Sequence, residues 1–257
     1  MNAAAAAWLA LALALAGPAA AHDSWLAPAE GGGLALRTGN RYPVAESGAS
    51  AASVGVAGCV DAGGRRHALR AAAETPAALQ LRTEAREALA CWVELKEHEV
   101  TLAPALVERY LREIRPGDQV RAAWADQQER GLPWVERYRK FARIEQGTQA
   151  AGPEVLRRLR APAGLPLEIV IDSEAPLQVG QTTTLRVLAD GRPVAGLSLE
   201  LVSERSAVGV WARSDAQGRL QFRLPFAGQW LVRGTLLDSA GEGRWRSRFV
   251  TLVFEAG

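Results

Sequence analysis

Three histidines and two cysteines carry most of the metal and redox chemistry available to this chain. His22 opens the segment His22-Asp23-Ser24-Trp25-Leu26. It follows an apolar run, Ala3 to Ala21, that ends in Ala19-Ala20-Ala21. An apolar core closed by a small-residue site reads as a secretory signal peptide. A cut after Ala21 makes His22 the first residue of the mature chain. An α-amine and an imidazole both titrate close to neutral pH, so a metal displaces their protons at modest cost. On one residue the two nitrogens close a small chelate ring. Such donors suit Cu(II), Ni(II) and Zn(II), with copper highest in affinity order. Asp23 can add an oxygen, and further ligands must come from elsewhere in the chain.

His98 is the preferred third ligand. It lies in Glu97-His98-Glu99, where a carboxylate on each side can orient the ring or bind in its own right. His67 follows Arg65-Arg66, whose charge disfavours a cation, and ranks below it. The expected metal set is therefore His22, Asp23 and His98. A copper site of this kind with an open position can also activate oxygen, and sequence does not separate that role from a carrier's. The competing reading is structural: His22 begins a strand whose Trp25 and Leu26 enter the core, and His98 is a solvated turn residue. Cleavage one or two residues earlier removes the chelate.

Cys59 and Cys91 each lie in an apolar segment. In an oxidising compartment such a pair reads as one disulfide, stabilising by about 3–4 kcal/mol on the chain-entropy model. Two buried free thiols are the alternative. Ligation of one metal by both is disfavoured, because neither belongs to a close Cys-x-x-Cys pair.

No Gly-x-Ser-x-Gly elbow, His-Glu-x-x-His motif or phosphate-binding loop is present, so the chain is not read as an enzyme. Lys and Arg number 30 against 28 Asp and Glu, and they are spread along the chain. That argues against nucleic-acid binding, which needs a clustered basic face. Gly17-Pro18 interrupts the one long apolar run, which favours a cleaved signal over a membrane span. The n-region carries no Lys or Arg. The expected product is a soluble periplasmic protein.

Short apolar stretches must position these residues. After residue 165 seven strands alternate with turn signals, including Asp190-Gly191 and Asp215-Ala216-Gln217-Gly218, which predicts an immunoglobulin-like sandwich. The apolar parity of the last strand changes between Phe249 and Val250, which suggests a bulge. The N-terminal part carries strands at 34–37, 54–60, 67–70, 79–82 and 89–96. A helix is expected over 104–114, with Pro104 in its first turn, Val107, Tyr110, Leu111 and Ile114 on one face, and Pro116-Gly117 after it. Residues 134–146 fit a helix or a strand. The expected organisation is a signal peptide at 1–21, a β-rich domain at 22–150, a linker at 151–164 and a sandwich domain at 165–257. Trp124 and Trp134 lie in or beside a polar stretch. They are candidates for exposed rings that stack on sugars or a partner, against packing between the two domains.

Several of these segments resemble a bacterial family of exported proteins of unknown function. They are His22-Asp23-Ser24-Trp25-Leu26-Ala27-Pro28, Thr101-Leu102 leading to Tyr110-Leu111, Glu136-Arg137-Tyr138-Arg139-Lys140, Leu167-Glu168-Ile169-Val170, Asp190 to Gly196, Asp215 to Arg219 and Thr251 to Glu255. Family members are often described as periplasmic components of nickel or cobalt uptake. The resemblance implies two β-rich domains, a periplasmic location and a divalent transition metal ion as ligand. The expected partner is a membrane metal transporter or an envelope protein. Arg112-Glu113-Ile114-Arg115 departs from the acidic pair and Gly-Leu expected there, so no shared role is carried over to that helix end. The alternative is an immunoglobulin-like interaction module of the cell envelope that binds no metal.

Overall fold

The computed structural model describes residues 22–85 and 88–257, and the predicted signal peptide lies outside them. The protein is mainly β. Its first part holds β1 (Asp23–Pro28), β2 (Leu34–Gly39), β3 (Ser47–Gly48), β4 (Val54–Asp61), β5 (Arg66–Ala68), β6 (Arg70–Thr75), β7 (Ala78–Arg82) and β8 (Leu89–Leu102). Helices α1 (Pro104–Ile114) and α2 (Asp118–Glu129) follow, then β9 (Trp134–Gln146) and α3 (Pro153–Leu159). The remainder holds β10 (Leu167–Ile171), β11 (Thr182–Ala189), β12 (Arg192–Pro193), β13 (Ser198–Ser203), β14 (Ser206–Arg213), β15 (Arg219–Arg223), β16 (Gly228–Ser239) and β17 (Arg244–Ala256).

Eight strands form one central sheet in the order β14-β13-β16-β17-β9-β8-β4-β5. β17 and β9 pair in parallel, from Arg244 opposite Val135 to Val253 opposite Ile144. This junction joins strands from before and after residues 151–164. A five-stranded sheet, β1-β2-β7-β6 with β3 on β2, covers part of one face. There Trp25, Leu36, Leu79 and Leu81 pack with Cys91, Val93, Ala142 and Ile144. Helices α1 and α2 cover the rest of that face. A four-stranded sheet built from β10, β11, β12 and β15 covers the other face. Ile169, Leu185, Val187 and Phe222 meet Leu199, Val232, Leu252 and Phe254 in that sandwich core.

Alternation decides the ambiguous segment 134–146 in favour of a strand. Ala142 and Ile144 enter one core while Phe141 enters the other, as a period of two requires. The predicted bulge in β17 is absent, because its register against β16 and β9 is unbroken. The parity change has another cause. Between Phe249 and Phe254 the strand is covered on both faces, by β1 and the helices on one side and the four-stranded sheet on the other, and every residue there is buried.

Helix α1 keeps its predicted bounds and buries the four predicted residues. It ends at Arg115 in the left-handed conformation, whose N–H bonds the Leu111 carbonyl. α2 was not predicted, because it buries only Trp124 and Gln127. Polar bonds hold it: Trp124 Nε1 donates to Glu108 at 2.6 Å, and Trp245 Nε1 donates to Gln127 at 2.8 Å. Trp124 and Trp134 are 3% and 1% exposed, which removes them as surface stacking platforms. Trp134 stacks on Trp245 with centroids 4.2 Å apart. Asp190-Gly191 makes the predicted turn between β11 and β12, with φ of 49° and 75°, the positive pair that a type I′ hairpin needs.

Candidate functional site

His22 stands at the edge of the five-stranded sheet, immediately before β1. Two contacts fix it. Lys140 of β9 donates through Nζ to the His22 carbonyl at 2.7 Å. The His22 Nε2 lies 2.8 Å from Glu46 Oε2. An ionised carboxylate only accepts hydrogen bonds, so Nε2 carries the hydrogen, and in the neutral ring Nδ1 keeps its lone pair. Glu46 is itself oriented, since its other oxygen accepts from the Asn40 N–H at 3.2 Å and its own N–H donates to the Thr38 carbonyl at 2.8 Å. The His22 side chain is 26% exposed.

Asp23 is buried beside it. Its carboxylate receives Arg233 Nη1 at 2.7 Å, and the same guanidinium reaches Glu200 at 2.6 Å and the Asn40 carbonyl at 3.1 Å. Burial opposes the Arg233 charge, yet Asp23 and Glu200 outweigh it and hold the guanidinium above its ordinary pKa. Burial lowers the Lys140 pKa, with Asp23 pulling it back up. Asp23 is thus committed to Arg233.

His98 is exposed on β8, and its ring stacks on Tyr138 with centroids 5.5 Å apart. Its neighbour Glu99 accepts from Arg137 Nε at 2.8 Å. His67 sits opposite Cys59 in the β4–β5 ladder and lies 2.6 Å from Asp61 Oδ2. Cys59 and Cys91 face each other across β4 and β8 and form the disulfide. Among the described residues no three His, Cys, Asp or Glu side chains form a group able to hold a metal ion. Donors from the protein side chains around His22 therefore amount to the imidazole and its carboxylate partner.

Sequence reasoning missed Glu46, Lys140 and Arg233. Glu46 lies in the loop before β3, where no periodicity marks it. Lys140 did carry a signal: it shares a strand face with Ala142 and Ile144, and a lysine on an otherwise apolar face calls for a partner. Arg233 joins Asp23 across 210 residues of sequence, a distance that no local pattern spans.

A cleft of about 290 Å³ opens beside this network. Asp23, Asn40 and Arg41 form one wall, Arg109 and Ile114 of α1 another, and Trp211 of β14 a third. Its floor is strand β16 of the eight-stranded sheet at Gly234. A side chain at Gly234 would press on Leu199 Cγ and the Ser198 carbonyl, each 3.1 Å from the Cβ position.

Among the described residues no helix is long and apolar enough to cross a membrane. A family model described as "Domain of unknown function (DUF4198)" matches residues 19–237, so the chain belongs to that family. No curated protein and no solved structure matches it.

Proposed function

We propose that this member of the family is an exported periplasmic protein that binds a divalent transition metal, among Ni, Co, Cu and Zn, at its mature amino terminus. It would serve as an accessory to metal uptake or delivery. The observation that carries the reading is the 2.8 Å contact between His22 Nε2 and Glu46. Histidines that bind metals commonly give their second ring nitrogen to a carboxylate, which fixes tautomer and orientation. Here that arrangement exists at the nitrogen remote from the backbone. It leaves Nδ1, the ring nitrogen able to close a chelate with the α-amine. The donor chemistry fits, because both nitrogens are of the borderline type these metals prefer. Lys140 holds the His22 carbonyl and so fixes the residue from the backbone side.

Asp23 and His98 were expected as further ligands. With Asp23 held by Arg233 and His98 stacked on Tyr138, the reading narrows to the His22 chelate supported by Glu46. A chelate of two nitrogens leaves coordination positions open, which suits a carrier that receives and passes on its cargo. The proposed recipient is a membrane transporter or another envelope protein.

The test is to recover the protein from the periplasm after export on its own leader, then measure intact mass and bound metal. A chain beginning at His22 with metal bound, and a Glu46→Gln variant binding about 10–100-fold more weakly, is the expected outcome. A chain beginning elsewhere, or affinity indifferent to Glu46→Gln, contradicts the reading.

One observation favours the second reading, an interaction module. β14 is an edge strand of the large sheet, and its Val208 and Val210 are exposed. Open edges with apolar residues are common docking surfaces.

A further inference from the structure

The cleft beside His22 has features that metal binding does not use. Three guanidinium groups line it, from Arg41, Arg109 and Arg233. Their neighbours can be paired off by charge. Arg233 and Lys140 balance Glu200 and Asp23. Arg109 Nε lies 2.9 Å from Glu113 one turn along α1, an exposed pair of the weak kind that a ligand can displace. Arg41 has no carboxylate within ion-pair distance among the described residues, and it is exposed at the cleft wall. Outside the lining, Arg115 stacks on the Trp211 ring, 4.2 Å from the centroid. Arg41 therefore leaves the cleft with a surplus of positive charge.

Part of the remaining lining is apolar. Ile114, Trp211 and Phe249 contribute it, and Arg115 stacked on Trp211 holds that indole in place. A concave site with an apolar wall and a few directed polar groups is the usual form of a small-molecule site. Guanidinium groups recognise carboxylates by paired, planar hydrogen bonds. An inorganic anion would use the arginines and leave the apolar wall without a role.

We infer that the cleft between α1, β14 and the β2–β3 loop binds a small organic carboxylate, with Arg41 and Arg109 on the carboxylate and Trp211 against its carbon skeleton. Asn40 links this cleft to the metal-binding end, since its N–H bonds Glu46 while its carbonyl accepts from Arg233. The inference does not depend on metal being bound at His22.

The experiment is calorimetric titration of metal-stripped full-length mature protein with succinate, citrate and benzoate in turn, and with sulfate as the inorganic anion. At least one carboxylate is expected to bind with Kd below about 1 mM, and sulfate at least about tenfold more weakly. Arg41→Gln should weaken the carboxylate about tenfold or more. Arg157→Gln, an exposed arginine paired with Glu174 outside the cleft, should change nothing. Circular dichroism establishes that each variant is folded. If no carboxylate binds below about 1 mM to folded protein, if sulfate binds as well, or if Arg41→Gln leaves affinity unchanged, the inference is wrong. No metal is present in any arm, so failure here is distinct from failure of the chelate at His22.

Discussion

The Nζ of Lys140, on the central strand β9, donates a 2.7 Å hydrogen bond to the carbonyl oxygen of His22 at the start of β1. The first residue after the predicted signal peptide is thereby tied to the largest sheet of the protein. Lys140→Met keeps the apolar stem and removes a charge that burial disfavours. The fold should lose no more than about 1 kcal/mol, the typical net worth of one hydrogen bond. His22 should loosen, and metal affinity should fall by about tenfold. Titration of the variant with Cu(II), beside a urea unfolding curve, separates the two effects.

Cys59 and Cys91 are fully buried and lie opposite each other across β4 and β8. Their bond closes a loop of sequence separation 32. Replacing both by alanine should lower stability by about 3–4 kcal/mol. A shift of the urea midpoint with unchanged slope is the expected signature.

The Asp61 carboxylate is lowered from its ordinary value to about 2, chiefly by its hydrogen bond with His67 and then by the Arg65 backbone N–H. A depressed acid contributes stability that is present above its unfolded pKa of about 4 and is lost as pH falls through about 2. Asp61→Asn should therefore be less stable than the parent at pH 5. The difference should shrink between pH 4 and pH 2. Unfolding curves across that range check the sign, and a difference that grew on acidification would contradict it.

Arg143, Glu145, Arg160 and Glu168 form a buried charged cluster between β9, β10 and the residues after α3. Glu168 accepts from the Ala163 and Gly164 N–H groups at 2.8 and 3.1 Å, and Arg143 donates to the Leu159 carbonyl at 2.5 Å. The segment expected to be a plain linker is thus pinned to the sheet by buried charge. Breaking such a cluster on one side leaves an uncompensated ion and costs about 3–5 kcal/mol. Glu168→Ala should show a loss of that size in denaturant unfolding, with faster amide exchange at Ala163 and Gly164.

Much of the fold was legible because its periodicities are local. The strands from β10 to β17 announce themselves by alternation and turn residues, except the two-residue β12 (Arg192–Pro193), which is too short to show a period, and α1 does so by four apolar residues on one face between Pro104 and Pro116. The helix α2 was not legible, since Trp124 and Gln127 hold it through side-chain hydrogen bonds instead of an apolar stripe. The strand β9 was ambiguous because Trp134, Tyr138, Phe141 and Glu145 also fall at helical spacing, and only the two cores on either side of the sheet, which take Phe141 on one face and Ala142 and Ile144 on the other, reveal the period of two. At the candidate site, His22 was legible from its place after the apolar run. Glu46 and Arg233 were not, because their roles arise from contacts between segments far apart in sequence.

The central claim is a metal chelate made by the α-amine and imidazole of His22. Its most direct test is calorimetric titration of Cu(II), Ni(II), Co(II) and Zn(II) into protein that begins at His22, and into the same protein with one extra residue ahead of it. The account predicts binding tighter than about 1 µM for at least one metal, copper highest, abolished by the extension. Binding weaker than that for every metal, or equal binding by both proteins, would contradict it.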